Sequence, residues 1–135
     1  MRTSFVLLIL SSLLVGTACT VNTTETAPRN LTFGTLQVDW SIGGVLDPNL
    51  CYQSGAATMA IEVYDARDEL VASVAPRCEA MVASFDLYPG SYYANATLLD
   101  AAGRERTTSV STNSIFIYEA ERTSVPIDFP SRSFY

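Results

Sequence analysis

Thr35-Leu36-Gln37-Val38-Asp39-Trp40-Ser41-Ile42 is the stretch that decides the fold. Leu36, Val38, Trp40 and Ile42 alternate with Thr35, Gln37, Asp39 and Ser41. Successive side chains of a strand point to opposite faces, so this period of two describes a strand with one buried face. Trp40 has the largest ring on that face and is the expected core anchor. Gly43-Gly44 ends the strand.

The same period recurs downstream. Met59, Ile61 and Val63 alternate with Ala60, Glu62 and Tyr64. Asp65-Ala66-Arg67-Asp68 is a turn, and Glu69–Ala75 is a weaker strand stopped by Pro76. Met81, Ala83, Phe85 and Leu87 form one face of the next strand, and Tyr92, Ala94, Ala96 and Leu98 one face of another. Tyr88-Pro89-Gly90-Ser91 reads as a turn with Pro at i+1 and Gly at i+2. Asp100-Ala101-Ala102-Gly103 turns the chain again. Arg106–Tyr118 is expected to be one long Thr/Ser-rich strand region. Val125, Ile127 and Phe129 make the last strand, and Pro126 places it at a sheet edge. Asp47-Pro48-Asn49 opens a loop that carries Cys51, and Cys78 lies in a second loop. Seven short strands with frequent turn signals, and no helix of useful length, predict an immunoglobulin-like β-sandwich over residues 31–135.

Phe85-Asp86-Leu87-Tyr88-Pro89-Gly90-Ser91-Tyr92, followed by Asp100-Ala101-Ala102-Gly103, resembles the F-x-L-x-P-G-x-Y … D-x-x-G run of prealbumin-like sandwich modules. Those modules include carboxypeptidase-regulatory-like domains and adhesin repeats. The resemblance implies a prealbumin-like β-sandwich with an aromatic returning to the core after a tight turn. Adhesin repeats often carry a Lys–Asn or Lys–Asp isopeptide bond. This chain has no Lys, so that crosslink does not carry over.

The N-terminus speaks to compartment. Arg2 precedes the apolar run Phe5–Val15, and Gly16-Thr17-Ala18 leads into Cys19. A positive start, an apolar core and small residues make an export signal. The run is about half of the ~20 residues needed to span a bilayer. The arrangement resembles a bacterial lipoprotein leader. That resemblance implies cleavage before Cys19, acylation (diacyl or triacyl, palmitate included) of Cys19, and a membrane anchor. Gly16 departs from the usual Leu, and Gly-Thr-Ala also suits ordinary signal peptidase, which would leave Cys19 unmodified and the protein secreted. Thr20 is not the Asp that retains lipoproteins at the inner membrane, so the resemblance implies the outer membrane. Residues 1–18 are then the signal peptide, and 19–30 the lipidated Cys and its tether, polar and Thr-rich over Thr20–Arg29.

With Cys19 assigned to lipid, Cys51 and Cys78 remain to pair in an oxidising compartment. Two buried unpaired thiols are the other reading. From Cys19 onward the chain has 7 Arg against 14 acidic residues, a net charge of −7. That argues against nucleic acid and against anionic lipid surfaces.

Catalytic options are narrow. The chain has no His and no Lys. The commonest general base, the commonest zinc ligand and Ser-Lys dyads are therefore absent. Glu62, Asp65, Asp68, Glu69 and Glu79 are the carboxylates that hydrolysis would need. Asp65, Asp68 and Glu69 could also ligate calcium, but they lack the Asp-x-Asp-x-Asp-Gly loop pattern and read as a charged hairpin turn. No catalytic residue, metal or cofactor is expected.

Tyrosines are the better lead. If Ile61 and Val63 face inward, Tyr64 faces out; if Tyr92 and Ala94 face inward, Tyr93 faces out. Tyr52 and Tyr88 fall in loops. Aromatics anchor protein interfaces and stack on sugars. Tyr64 and Tyr93 form the candidate binding surface, and their removal is expected to change stability little. The expectation is a non-enzymatic, lipid-anchored envelope protein acting as a binding or structural module. Its partners are the membrane, through the N-terminal lipid, and an unidentified protein or glycan. A carbohydrate-binding accessory domain using exposed tyrosines is the alternative.

Overall fold

The computed structural model describes residues 30–135. The leader, Cys19 and the tether up to Arg29 lie outside the described residues. Among the described residues the architecture is an all-β sandwich of two sheets.

β1 (Gly34–Ile42) is the middle strand of a three-stranded sheet. Its residues alternate between buried and half-buried, as the sequence period requires. β4 (Val82–Leu87) pairs with it antiparallel, and β8 (Arg122–Phe129) pairs with it in parallel. β8 is a sheet edge, which accommodates Pro126. The second sheet is built on β2 (Thr58–Asp65) and β5 (Gly90–Leu99). β3 (Leu70–Val74) flanks β2. β6 (Val110–Ser111) and β7 (Ile115–Ile117) pair in succession along the other side of β5.

The core lies between the sheets. Leu36, Val38 and Trp40 of β1 meet Met59, Ile61 and Val63 of β2 and Ala94, Ala96 and Leu98 of β5. Trp40 is buried, and its Nε1 donates to the Cys78 carbonyl at 2.9 Å. A buried indole N–H without an acceptor would be costly, so this bond fixes the ring's orientation.

Four expectations need correction. Eight strands are present among the described residues rather than seven. The expected single strand over 106–118 is broken into β6 and β7. Thr112 fills the break: its N–H donates to the Ala94 carbonyl at 2.8 Å, and its Oγ1 accepts the Ala94 N–H at 2.9 Å. A side chain thus replaces part of the ladder where the backbone departs from it. The loop carrying Cys51 contains a helix, α1 (Asn49–Ser54). Asp47 Oδ1 accepts the Asn49 N–H at 2.9 Å near its start, and Gly55 ends it at φ 71°. Six residues are too few to show a helical period. Finally, Gly90 is not the left-handed corner of a turn. It opens β5, and the chain crosses from one sheet to the other between β4 and β5. Tyr92 Oη closes that corner by donating to the Tyr88 carbonyl at 2.8 Å. A Cβ on Gly90 would meet the Tyr92 ring at 3.4 Å, an ordinary van der Waals contact.

Cys51 of α1 is bonded to Cys78, which begins the 3-10 turn Cys78–Ala80, with Cα atoms 5.8 Å apart. Both are buried. The bridge joins the segment before β2 to the segment before β4 at one end of the sandwich. No described helix is long and apolar enough to cross a membrane.

Candidate binding face

The register of β2 against β5 builds the site. Ile61, Val63, Ala94 and Ala96 are buried, so the residues between them lie on the outer face of the five-stranded sheet. Thr58 lies opposite Leu99, Ala60 opposite Thr97, Glu62 opposite Asn95, and Tyr64 opposite Tyr93. At about 3.4 Å per residue, Ala60 to Tyr64 spans roughly 14 Å.

Tyr64 and Tyr93 therefore meet as a cross-strand pair. Their ring centroids are 5.1 Å apart with planes 12° from parallel. Both rings point outward, but they are half-buried rather than fully exposed, because each covers a face of the other. Tyr64 Oη donates to Glu62 Oε2 at 2.8 Å, and this bond is the main reason its pKa is raised. Tyr93 Oη donates to Asp68 Oδ1 at 3.1 Å. Its pKa is raised as well, first by desolvation and then by that bond.

The β2–β3 hairpin presents Asp68. Asp65 Oδ1 accepts the N–H groups of Arg67 at 2.8 Å and Glu69 at 3.0 Å. Its Oδ2 pairs with the Arg67 guanidinium at 3.0 Å. Those backbone donors, Glu69 first, hold the Asp65 carboxyl below the usual carboxylate range. Asp68 takes the left-handed conformation, φ 62°, which Asp tolerates better than most residues. Glu69 pairs with Arg67 at 2.8 Å. Asp65, Asp68 and Glu69 thus spend oxygens within the turn and on Tyr93, and no metal-holding cluster occurs among the described residues. Glu79 sits apart, 3.6 Å from Arg77.

Two residues that sequence reading passed over extend the aromatic pair. Leu70, 53% exposed, lies opposite Tyr64 across a bulge in the β2–β3 ladder. Phe116, also 53% exposed, lies opposite Ser91 on β7 and so diagonal to Tyr93. Exposed apolar residues on a strand's outward face were the available signal, but three-residue β7 offered no period to reveal its facing. Tyr52 is on α1, at the far end. Tyr88 is at the β4–β5 corner, with its ring 4.5 Å from that of Phe33. The structure brings neither to the pair.

Beside Tyr64 the outer face sinks into a groove of about 250 Å³. Ala60, Glu62, Asn95, Thr97, Glu105 and Ser109 line it. Thr97 Oγ1 and Ser109 Oγ are 2.6 Å apart, and Asn95 Oδ1 accepts from Ser111 Oγ at 2.6 Å. Glu105 has neither a hydrogen bond to its side chain nor an ion pair among the described residues, and no Arg lines the groove. A larger recess of about 400 Å³ separates β8 from β6 and β7. The one charged side chain in its lining is Asp128, whose Oδ1 is taken by Ser41 Oγ and the Gly44 N–H, both at 2.7 Å.

No family model and no curated protein matches the chain. Among solved structures it is similar to a "putative adhesin from Bacteroides ovatus", with TM-score 0.46 and 11% identity over 76% of this chain and 48% of that one. It is also similar to "putative polysaccharide binding proteins" from Bacteroides thetaiotaomicron, with TM-score 0.41 and 12% identity over 69% of this chain and 46% of that one. The chain spans about half the length of these structures. At these TM-scores the likeness fixes neither fold nor function.

Proposed function

We propose that this chain is a non-enzymatic binding module of the bacterial cell envelope, held at the outer membrane by acylated Cys19 on a short tether. Its binding face is the outer face of the five-stranded sheet around Tyr64 and Tyr93. The carrying observation is the stacked cross-strand pair, flanked by exposed Leu70 and Phe116. Large apolar side chains on neighbouring outward positions of a sheet mark an interaction site. The non-catalytic reading is supported by the absence of His and Lys and by the engagement of Asp65, Asp68 and Glu69 within the hairpin.

The test compares the membrane-extracted protein with a Tyr64→Ala/Tyr93→Ala variant for capture of envelope components and binding to a glycan array. Loss of binding with a cooperative unfolding transition retained is the expected result. Equal binding by both proteins would overturn the assignment of the face. The anchor is tested separately by intact mass. The mature chain is expected to start at Cys19 and carry two or three acyl chains. An unmodified Cys19 thiol would make it a secreted protein and leave the binding face untouched.

A further inference from the structure

The groove beside the tyrosines has a chemistry more specific than a general docking face. Four outward positions in succession along β5 change character: Tyr93 is aromatic, Asn95 an amide, Thr97 a hydroxyl, and Leu99 apolar. Opposite them stand Tyr64, Glu62, Ala60 and Thr58. Small Ala60 leaves the floor low, while the segment carrying Glu105 and Ser109 rises along one side. That segment is fixed by the bridge of Leu99 to Glu105 and by the Arg106 N–H to the Leu98 carbonyl at 2.7 Å. The result is a track about 20 Å long, with the tyrosines at one end, polar groups along the groove and Leu99 at the other end.

The polar groups are of a particular kind. Glu62 keeps one carboxylate oxygen beyond its bond from Tyr64. Glu105 keeps both, and Asn95 Nδ2 has no acceptor among the described residues. Carboxylates accept from vicinal hydroxyls or an ammonium, and the amide adds a donor. No guanidinium reaches the groove. An anionic ligand would therefore meet two carboxylates and no counter-charge, whereas a cationic one meets complementary charge. The length of the track exceeds one sugar ring, and the half-buried tyrosine pair stands at one end of it.

Resting on the reading of this face as a binding site, we infer that the track takes a glycan bearing free amino groups. A pyranose stacks at the tyrosine end, and an amino-sugar unit enters the groove between Glu62 and Glu105. Uronic-acid and sulfated glycans are rejected. The ligand class is set by the coincidence of an aromatic pair, an amide–hydroxyl floor and uncompensated carboxylates in one line.

Isothermal titration of the membrane-extracted protein, in detergent and at physiological ionic strength, tests this. The probes are chitosan oligosaccharides, their N-acetylated chitin counterparts and oligogalacturonate. Chitosan oligosaccharide is expected to bind, chitin oligosaccharide more weakly, and oligogalacturonate not at all. Glu62→Gln and Glu105→Gln should each weaken chitosan binding by about tenfold, the scale of one charge-assisted hydrogen bond. A Glu119→Gln/Glu121→Gln variant, which removes two charges elsewhere, should leave it unchanged. Equal weakening by that control would show diffuse charge attraction and overturn the inference. Absence of chitosan binding, or equal binding of oligogalacturonate, would overturn it too. If chitosan fails while a protein partner is still lost with Tyr64→Ala/Tyr93→Ala, the face stands and the glycan assignment falls. Recovery of shortened oligosaccharide would instead contradict the non-enzymatic reading.

Discussion

Tyr64 and Tyr93 each spend one ring face on the other, so a change at either has two consequences. The offset stack is worth about 0.5–1.5 kcal/mol beyond area burial. Tyr64→Ala and Tyr93→Ala should each lower stability by about 1 kcal/mol, more than two unpaired surface tyrosines would. The double variant should cost less than the sum, because the pair is lost only once. A double-mutant cycle from urea unfolding measures this, and strict additivity would mean that the rings do not interact in solution. Trp40 sits at the opposite extreme. It is buried, and its Nε1 holds the Cys78 carbonyl. Trp40→Ala should cost about 3–5 kcal/mol through the cavity it leaves. Trp40→Phe fills much of the cavity but removes the indole N–H bond to the Cys78 carbonyl, which still accepts the Met81 N–H at 3.2 Å, so the lost bond should cost about 0.5–1.5 kcal/mol. Urea midpoints of the two variants separate the volume effect from the hydrogen-bond effect. A Phe variant as stable as the parent would show that the indole hydrogen bond contributes nothing net.

Two elements share one device. Asp65-Ala66-Arg67-Asp68-Glu69 and Asp100-Ala101-Ala102-Gly103-Arg104 are five-residue hairpin ends, each with a left-handed fourth residue at φ 62° and 77°. In each, the leading Asp Oδ1 accepts two backbone N–H groups and its Oδ2 pairs with an Arg. Backbone donors are the largest cause of the lowered pKa in both, from Glu69 at Asp65 and from Arg104 at Asp100. A carboxyl whose pKa is lower folded than unfolded stabilises the fold above its unfolded value of ~3.9. That contribution is lost as pH falls through the folded pKa. The melting temperature should therefore hold from neutral pH to about pH 5 and fall below about pH 4. Asp65→Asn/Asp100→Asn keeps the Oδ1 acceptors but does not titrate. Its melting temperature should be lower at neutral pH and fall less steeply in acid, as thermal unfolding across pH would record. An acid limb as steep as the parent's would place the protonation elsewhere. Both turns were legible in the sequence, since Asp at the first position and Gly or Asp at the fourth are what such turns demand. The 106–118 region was not. Thr112 completes the ladder with its side chain, and nothing in a Thr/Ser-rich run distinguishes that residue from its neighbours.

For the molecule as a whole, the period of two was enough to place the sheets' buried faces, because Leu36, Val38 and Trp40, like Ile61 and Val63, alternate cleanly over full strands. Which outward residues become neighbours depends on register, which alternation within one strand does not encode. Tyr64 and Tyr93 could be placed outside, but their stacking, and the groove between Glu62 and Glu105, follow only from the pairing of β2 with β5. The Cys51–Cys78 bridge was legible for a different reason: with Cys19 expected to carry lipid, counting cysteines leaves two to pair. It sits beyond the Thr58 end of β2, whereas Tyr64 lies near the Asp65 end. This separation makes stability and binding experimentally distinct. The two cysteines are 27 residues apart, and closing such a loop is worth about 3–4 kcal/mol in the chain-entropy account. For a domain of this size that corresponds to roughly 15–25 °C in melting temperature. Cys51→Ala/Cys78→Ala should melt lower by that amount, and reductant should lower the parent but not the variant. Well below its own melting temperature, the variant should still show raised tyrosine titration and ligand capture through Tyr64 and Tyr93. Loss of binding in the folded variant would mean that the bridge shapes the face across the length of the sheet. A parent indifferent to reductant would mean that the bond does not stabilise the fold.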